Sequence, residues 1–267
     1  MYPVPFHFSR PTTLEEAEKI FKASADAKYL SGGMTLIPTM KLRLAAPQDV
    51  IDLEKIPGMA FTRREGDTLV VGARTRHIDV ADSDVVKAAI PALSFLASHI
   101  GDPAVRNRGT MGGSVANNDP SADYPSSVLA LGATITTTRR TIAADEFFTG
   151  MFSTALEEAE ILTSIAFPIP RRAGYAKFPN PASRYAMVGV FVADFGNAVR
   201  VAVTGAGSCV FRQTEMEQAL AKNFSPQAAS ATKQSADGLN GDIHGSAEYR
   251  AHLVSVMAGR AVTAALG

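Results

Sequence analysis

The stretch SGGMTLIP, residues 31–38, breaks the chain between AKYL, which reads as a short strand, and TMKLRL, which reads as a helix. Two glycines and two hydroxyl residues packed so closely interrupt regular structure, because glycine reaches backbone conformations closed to other residues. Consecutive N–H groups at such a break form an anion nest, and a helix starting just beyond it adds its dipole. A second pair, Gly112–Gly113 in TMGGS, has Thr110 and Ser114 beside it, as Gly32–Gly33 has Ser31 and Thr35. Neither pair matches the dinucleotide fingerprint G-x-G-x-x-G or the phosphate loop G-x-x-x-x-G-K-S/T. Alone, each reads as a tight turn. Brought together, they would suit a diphosphate, which carries acceptor oxygens on both phosphates.

Working outward, Thr12 and Thr13 can cap a helix, with Glu15 and Glu16 as capping-box partners. Leu14, Ala17, Ile20 and Phe21 then give that helix one apolar face. With DVIDL (Asp49–Leu53) as a further strand, the first unit reads strand, helix, strand, turn, helix, strand, and ends near Pro57–Gly58. TLVVGA (Thr68–Ala73) is a strand. A helical region follows from about Asp79 to Ile100, interrupted at Pro91 and closed by Gly101. The segment from Gly101 to Pro125 has few apolar residues and much turn chemistry. A loop that long is functional or disordered. A helix over Ser126–Leu131 and the strands ATITTT and EILTSIAFPIP come next. From Tyr175 two strands surround a Phe195–Gly196–Asn197 turn, a hairpin signal. Helices then dominate, the clearest over Ser246–Leu266. The pattern is α+β in three parts: 1–57, 58–174 and 175–267.

Composition narrows the function. Hydrophobic residues make up 46% of the 267, enough for a core, and 26 basic side chains balance 26 acidic ones. That balance gives no reason to expect nucleic acid or an acidic membrane as partner. The one cysteine, Cys209, excludes an internal disulfide and a cysteine-ligated cluster within the chain, and reads as a small core residue. The five histidines show no ligand spacing. Asp82 and Asp84 read as surface charge, and Arg106 and Arg108 as a solvated loop face. With no apolar leader and no membrane-length run, the expectation is a soluble cytoplasmic protein without a transmembrane segment.

Two long stretches, YLSGGMTLIPTMKLRLAAPQDVIDL (29–53) and RNRGTMGGSVANNDPSADYPSSVLALGA (106–133), resemble the FAD-binding medium subunit of the molybdenum hydroxylases. That group includes carbon monoxide, xanthine and aldehyde dehydrogenases. Its motifs run A-G-G-x-S/T/D-L-L/I-P and T-I/V-G-G-N/S-I/V-A, followed by D-P-x-x-D-x-P. This chain departs only in having Ser31 for alanine and Met111 for isoleucine or valine. GYAKFPNPASRYAMVGV (174–190) and SAEYRAHLVSVMAGRA (246–261) also match, so the likeness covers nearly the whole chain in order.

The resemblance implies a PCMH-type (vanillyl-alcohol-oxidase-like) FAD-binding fold in two α/β subdomains, plus a C-terminal antiparallel sheet with helices. It implies that Gly32, Gly33 and Thr35 cradle the FAD pyrophosphate together with Thr110, Gly112, Gly113 and Ser114, and that Ser31, Met34 and Met111 contribute backbone. Asp123 matches an acidic residue that contacts the cofactor. Leu162 matches a strand position whose backbone meets the flavin, Lys177 a basic residue near it, and Tyr185 an aromatic near the ring face. Read without the resemblance, Asp123 is a local turn cap, Lys177 a solvated charge and Tyr185 a core tyrosine. The implied partners are a large molybdenum-cofactor subunit and a small subunit with two 2Fe–2S clusters, in a dimer of heterotrimers, with electrons leaving to an external acceptor. A self-sufficient flavin oxidoreductase of the same fold, and a nucleotide-binding scaffold without redox activity, are the alternatives.

Overall fold

Thr13 opens the first helix as the capping pattern requires. Its hydroxyl accepts from the Glu16 amide at 3.1 Å, while the Glu16 carboxylate reaches back to the Thr12 amide at 2.9 Å. The computed structural model describes residues 2–267. In it the first unit runs β1 (His7–Ser9), α1 (Leu14–Ala23), β2 (Ala27–Leu30), α2 (Leu36–Lys41) and β3 (Asp49–Asp52). Its three strands form a parallel sheet in the order β1-β3-β2. The glycine break is therefore the turn between a parallel strand and the helix that crosses to its neighbour.

The second unit begins with β4 (Thr62–Glu65) and β5 (Thr68–Gly72). The helical region that follows is three helices, α3 (His77–Asp82), α4 (Asp84–Ala89) and α5 (Pro91–Ser98), broken where Ser83 caps α4 and Pro91 opens α5. The turn-rich segment after Gly101 is not a plain loop. It folds into α6 (Pro103–Arg108) and α7 (Met111–Asn117), capped by Asp102 and Thr110. Each has too few residues for an apolar period to show. Then come α8 (Tyr124–Ala130), β6 (Thr134–Thr137), β7 (Thr141–Ala143), α9 (Ala144–Phe147), the small hairpin β8 (Phe148–Gly150) and β9 (Ser153–Thr154), and β10 (Leu162–Pro168). The sheet here is wholly antiparallel, in the order β4-β5-β10-β6-β7.

The third sheet, also antiparallel, comprises β11 (Arg172–Pro179), β12 (Ala186–Asp194), β13 (Val199–Thr204) and β14 (Phe211–Arg212). Helices α10 (Thr214–Lys222), α11 (Pro226–Ala231) and α12 (Ala247–Leu266) follow. Every residue of β12 is buried. Its side chains alternate between two cores, as strand geometry dictates. Val188, Val190 and Val192 pack with Leu253, Val254 and Met257 of α12. Phe191 and Ala193 join the core that runs through both other units. Burying a side chain such as Phe191 stabilises the fold by about 1.5–3 kcal/mol. Among the described residues, no helix is long and apolar enough to cross a membrane.

Candidate functional site

The break after β2 and the start of α7 meet. Ser31 Oγ and Thr110 Oγ1 lie 2.8 Å apart, joining the two glycine elements through a hydroxyl pair. Gly32 lies so close to the backbone of Arg108 and Gly109 that an added Cβ would collide with the Arg108 carbonyl oxygen. Gly33 has φ +74°, in the region that favours glycine. Gly113 looks across the gap: a Cβ there would meet Thr110 Oγ1 at 2.8 Å and Ser31 Cβ at 3.7 Å.

A cavity of about 730 Å³ opens from this junction and runs between the sheets. Twelve of the fourteen residues expected at the site line it: Ser31, Gly32, Gly33, Met34, Thr35, Thr110, Gly112, Gly113, Ser114, Asp123, Leu162 and Tyr185. Met111 and Lys177 stand behind it. The Met111 side chain is fully buried in the core, and its amide donates to the Thr75 carbonyl at 3.0 Å. The Lys177 ammonium is not solvated. It pairs with Asp123 at 2.9 Å and donates to the His99 and Arg184 carbonyls at 2.7 and 3.0 Å.

Asp123 is held by more than the lysine, since the Tyr175 hydroxyl donates to it at 2.5 Å. Burial pushes the Asp123 carboxyl up from its ordinary value, and Lys177 and Tyr175 oppose the shift. The residue is thus a fixed polar wall rather than a free turn cap. Arg106 also proves structural, donating to the Ile100 and Gly101 carbonyls at 3.0 and 3.1 Å, whereas Arg108 is exposed.

Other lining residues gave no motif in the sequence. Arg74 reaches the Leu53 carbonyl at 3.0 Å and keeps a buried Nε without a partner among the described residues. Burial lowers its guanidinium from the ordinary value, against the pull of Asp52 and Glu54. His77 lies under the second glycine element, its amide donating to the Gly109 carbonyl at 2.9 Å. Burial, helped by Arg106, holds its imidazole down at about 4. Phe152 stands on the turn of the β8–β9 hairpin and lines the cavity as well.

The five non-glycine residues with positive φ among the described residues are Arg43, Asn118, Phe152, Ala159 and Arg184. Each lines the cavity or adjoins a residue that does. Backbone strain of this kind concentrates at binding sites.

The site fits a nucleotide cofactor on its own geometry. The amides of Gly32, Gly33, Met34 and Thr35 donate to no partner among the described residues, although this turn borders a cavity with Thr110, Ser114 and Gly113 on its other side. Such a row of free N–H groups is an anion seat. The cavity volume lies within the ordinary range for ligand sites.

With two glycine elements meeting on one cavity, this chain belongs to a known class of flavoprotein. Residues 4–170 match the family described as FAD binding domain in molybdopterin dehydrogenase, and the chain is a member of it. Within that family it is of the medium, FAD-binding subunit type of the molybdenum hydroxylases, an oxidoreductase class whose cofactor is FAD. It is 35% identical to the carbon monoxide dehydrogenase medium chain of Hydrogenophaga pseudoflava, over 99% of this chain and 98% of that one. It is likewise 35% identical to the nicotine 6-hydroxylase medium subunit of Paenarthrobacter nicotinovorans, over 97% and 96% of the two chains. The solved structure of reconstituted CO dehydrogenase from Oligotropha carboxidovorans superposes with a TM-score of 0.92 at 32% identity, over 99% of both chains.

Proposed function

We propose that this chain is the electron-transfer flavin subunit of a molybdenum hydroxylase complex. It receives electrons from the 2Fe–2S clusters of a small partner subunit, fed by a large subunit holding the molybdenum cofactor, and hands them to an external acceptor. FAD, when bound, supplies the exchange between one-electron and two-electron carriers. The chain's own residues bind and orient it. Gly32, Gly33, Met34 and Thr35 offer amides to the pyrophosphate, and Ser31, Thr110 and Ser114 offer hydroxyls. Gly113 keeps a side chain out of the gap, and Gly112 lets the helix start pack closely against Ala73. Asp123, fixed from behind by Lys177 and Tyr175, Leu162 and Tyr185 wall the rest.

The observation that carries the reading is the row of unpartnered amides at Gly32–Thr35, set beside Gly113 and Thr110 on one cavity. One cysteine cannot furnish the four thiolates of a 2Fe–2S cluster, which supports clusters on another chain. Relatives that match at nearly full length are named for carbon monoxide and for nicotine. That fits a shared flavin unit that leaves substrate choice to the molybdenum subunit. The proposed assembly is a cytoplasmic dimer of heterotrimers.

A visible absorption spectrum of the protein drawn from its native host tests this. Expected are flavin bands overlaid with iron–sulfur absorption, bound molybdenum and two further chains. Flavin bands on a lone chain would replace the reading with a self-sufficient flavin oxidoreductase. A colourless protein that takes up no added FAD would overturn both.

A further inference from the structure

Phe152 is exposed, apolar and conformationally strained at once. It leaves 58% of its surface open and sits at φ +51°, where bulky side chains are rarely found. Core packing does not explain it.

A specific device holds it there. Asn118 follows α7 in the left-handed conformation, and its carbonyl accepts from the Phe152 amide at 3.1 Å. Its side-chain amide donates to the Gly150 and Ser153 carbonyls at 2.8 and 2.7 Å, bridging both arms of the turn. Asn118 is itself buried. The same chain segment is gripped from the third unit, where the Ala186 amide, next to Tyr185, donates to the Ser121 carbonyl at 3.3 Å. Asp119, between these two fastenings, and Ala122, just beyond the second, line the cavity, as do Phe152 and Tyr185. The seven residues of α7 span roughly 10 Å, so this end is well removed from the glycine elements at the helix start.

We infer that Phe152 is a cofactor-positioning residue: with Tyr185 it braces the planar ring system of the flavin, and Asn118 holds it ready in a strained conformation. The inference rests on FAD as the occupant of the cavity. A planar heterocycle between the two aromatics buries apolar surface that the unliganded chain leaves wet, and gains stacking. Nothing in the two glycine motifs marks Phe152.

The test uses the full chain with added FAD and compares Phe152→Ala, Phe152→Gly and Phe152→Trp. Phe152→Ala should weaken FAD binding about three- to tenfold, and the fluorescence of bound FAD should rise as the quenching ring is lost. Phe152→Trp should keep both near wild type. Phe152→Gly should also weaken binding but raise the melting temperature of the apo chain, because glycine relieves the strain. FAD affinity within twofold and unchanged fluorescence in Phe152→Ala would overturn the inference. So would a lower apo melting temperature in Phe152→Gly, which would make Phe152 a packing residue. If the wild-type chain takes up no FAD, the cofactor reading falls and this inference with it. Tight wild-type binding that is indifferent to Phe152 overturns this inference alone.

Discussion

The two glycine elements look alike in sequence and differ in what they have left to give. After β2, the amides of Gly32 through Thr35 have no partner among the described residues. At the start of α7, the Met111 amide donates to the Thr75 carbonyl, Gly112 to Ala73, Gly113 to the Thr110 hydroxyl and Ser114 to the Thr110 carbonyl. The first element is a row of open donors, and the second is a capped helix start whose donors are spent. What the second contributes is hydroxyls, the helix dipole and empty space. Four donors left open beside a cavity make a seat for an acceptor.

The strongest challenge to this division is Gly113→Asp. It fills the gap and sets a carboxylate where the phosphates are proposed to lie. An uncompensated charge of that kind costs about 3–5 kcal/mol, so FAD binding should weaken by roughly 10²- to 10⁴-fold. A folded variant that keeps its flavin in equilibrium dialysis would show that Gly113 does not face the diphosphate.

Next comes acid. His77 lies under the second element with its imidazole held down at about 4, against 6.5 when unfolded. The folded chain therefore binds fewer protons than the unfolded one between those values. Stability should be full above pH 6.5 and fall as pH drops towards 4, by roughly 3 kcal/mol over the window. Urea titrations across that range should show the loss in wild type and a shallower one in His77→Phe. Equal slopes would place the acid sensitivity elsewhere.

The smallest effect is also the most direct comparison. In hydrogen exchange, FAD should slow the Gly32–Thr35 amides by at least about tenfold, while Gly112 and Ser114 exchange slowly with or without it. Protection appearing equally in both elements would erase the distinction.

Much of the architecture was legible in the sequence because it is written in local patterns. The Thr13 cap, the β2 and β3 strands, the hairpin around Gly196 and the long helix starting after Ser246 each carry their signal within a few residues. The glycine pairs announced a site for the same reason. The capped helices α6 and α7 did not, since six or seven residues are too few to establish an apolar period. Nor could the sequence show that Tyr175 and Lys177 clasp Asp123, which lies 52 and 54 residues away along the chain. Phe152 was silent because exposure and a left-handed backbone are tertiary facts. Nothing in FFTGMFSTAL declares them.

The clasp on Asp123 has a consequence for where one part of this protein ends. The match to the FAD-binding domain family stops at residue 170, although relatives match along nearly the whole chain, and the part up to that point holds both glycine elements. A fragment cut there would nevertheless lose both Tyr175 and Lys177, leaving a buried carboxylate without its hydroxyl and its counter-ion. It would also bare the apolar surface that Phe191 and Ala193 cover. The stretch matched to the family and the stretch that keeps this carboxylate paired are thus different lengths of chain.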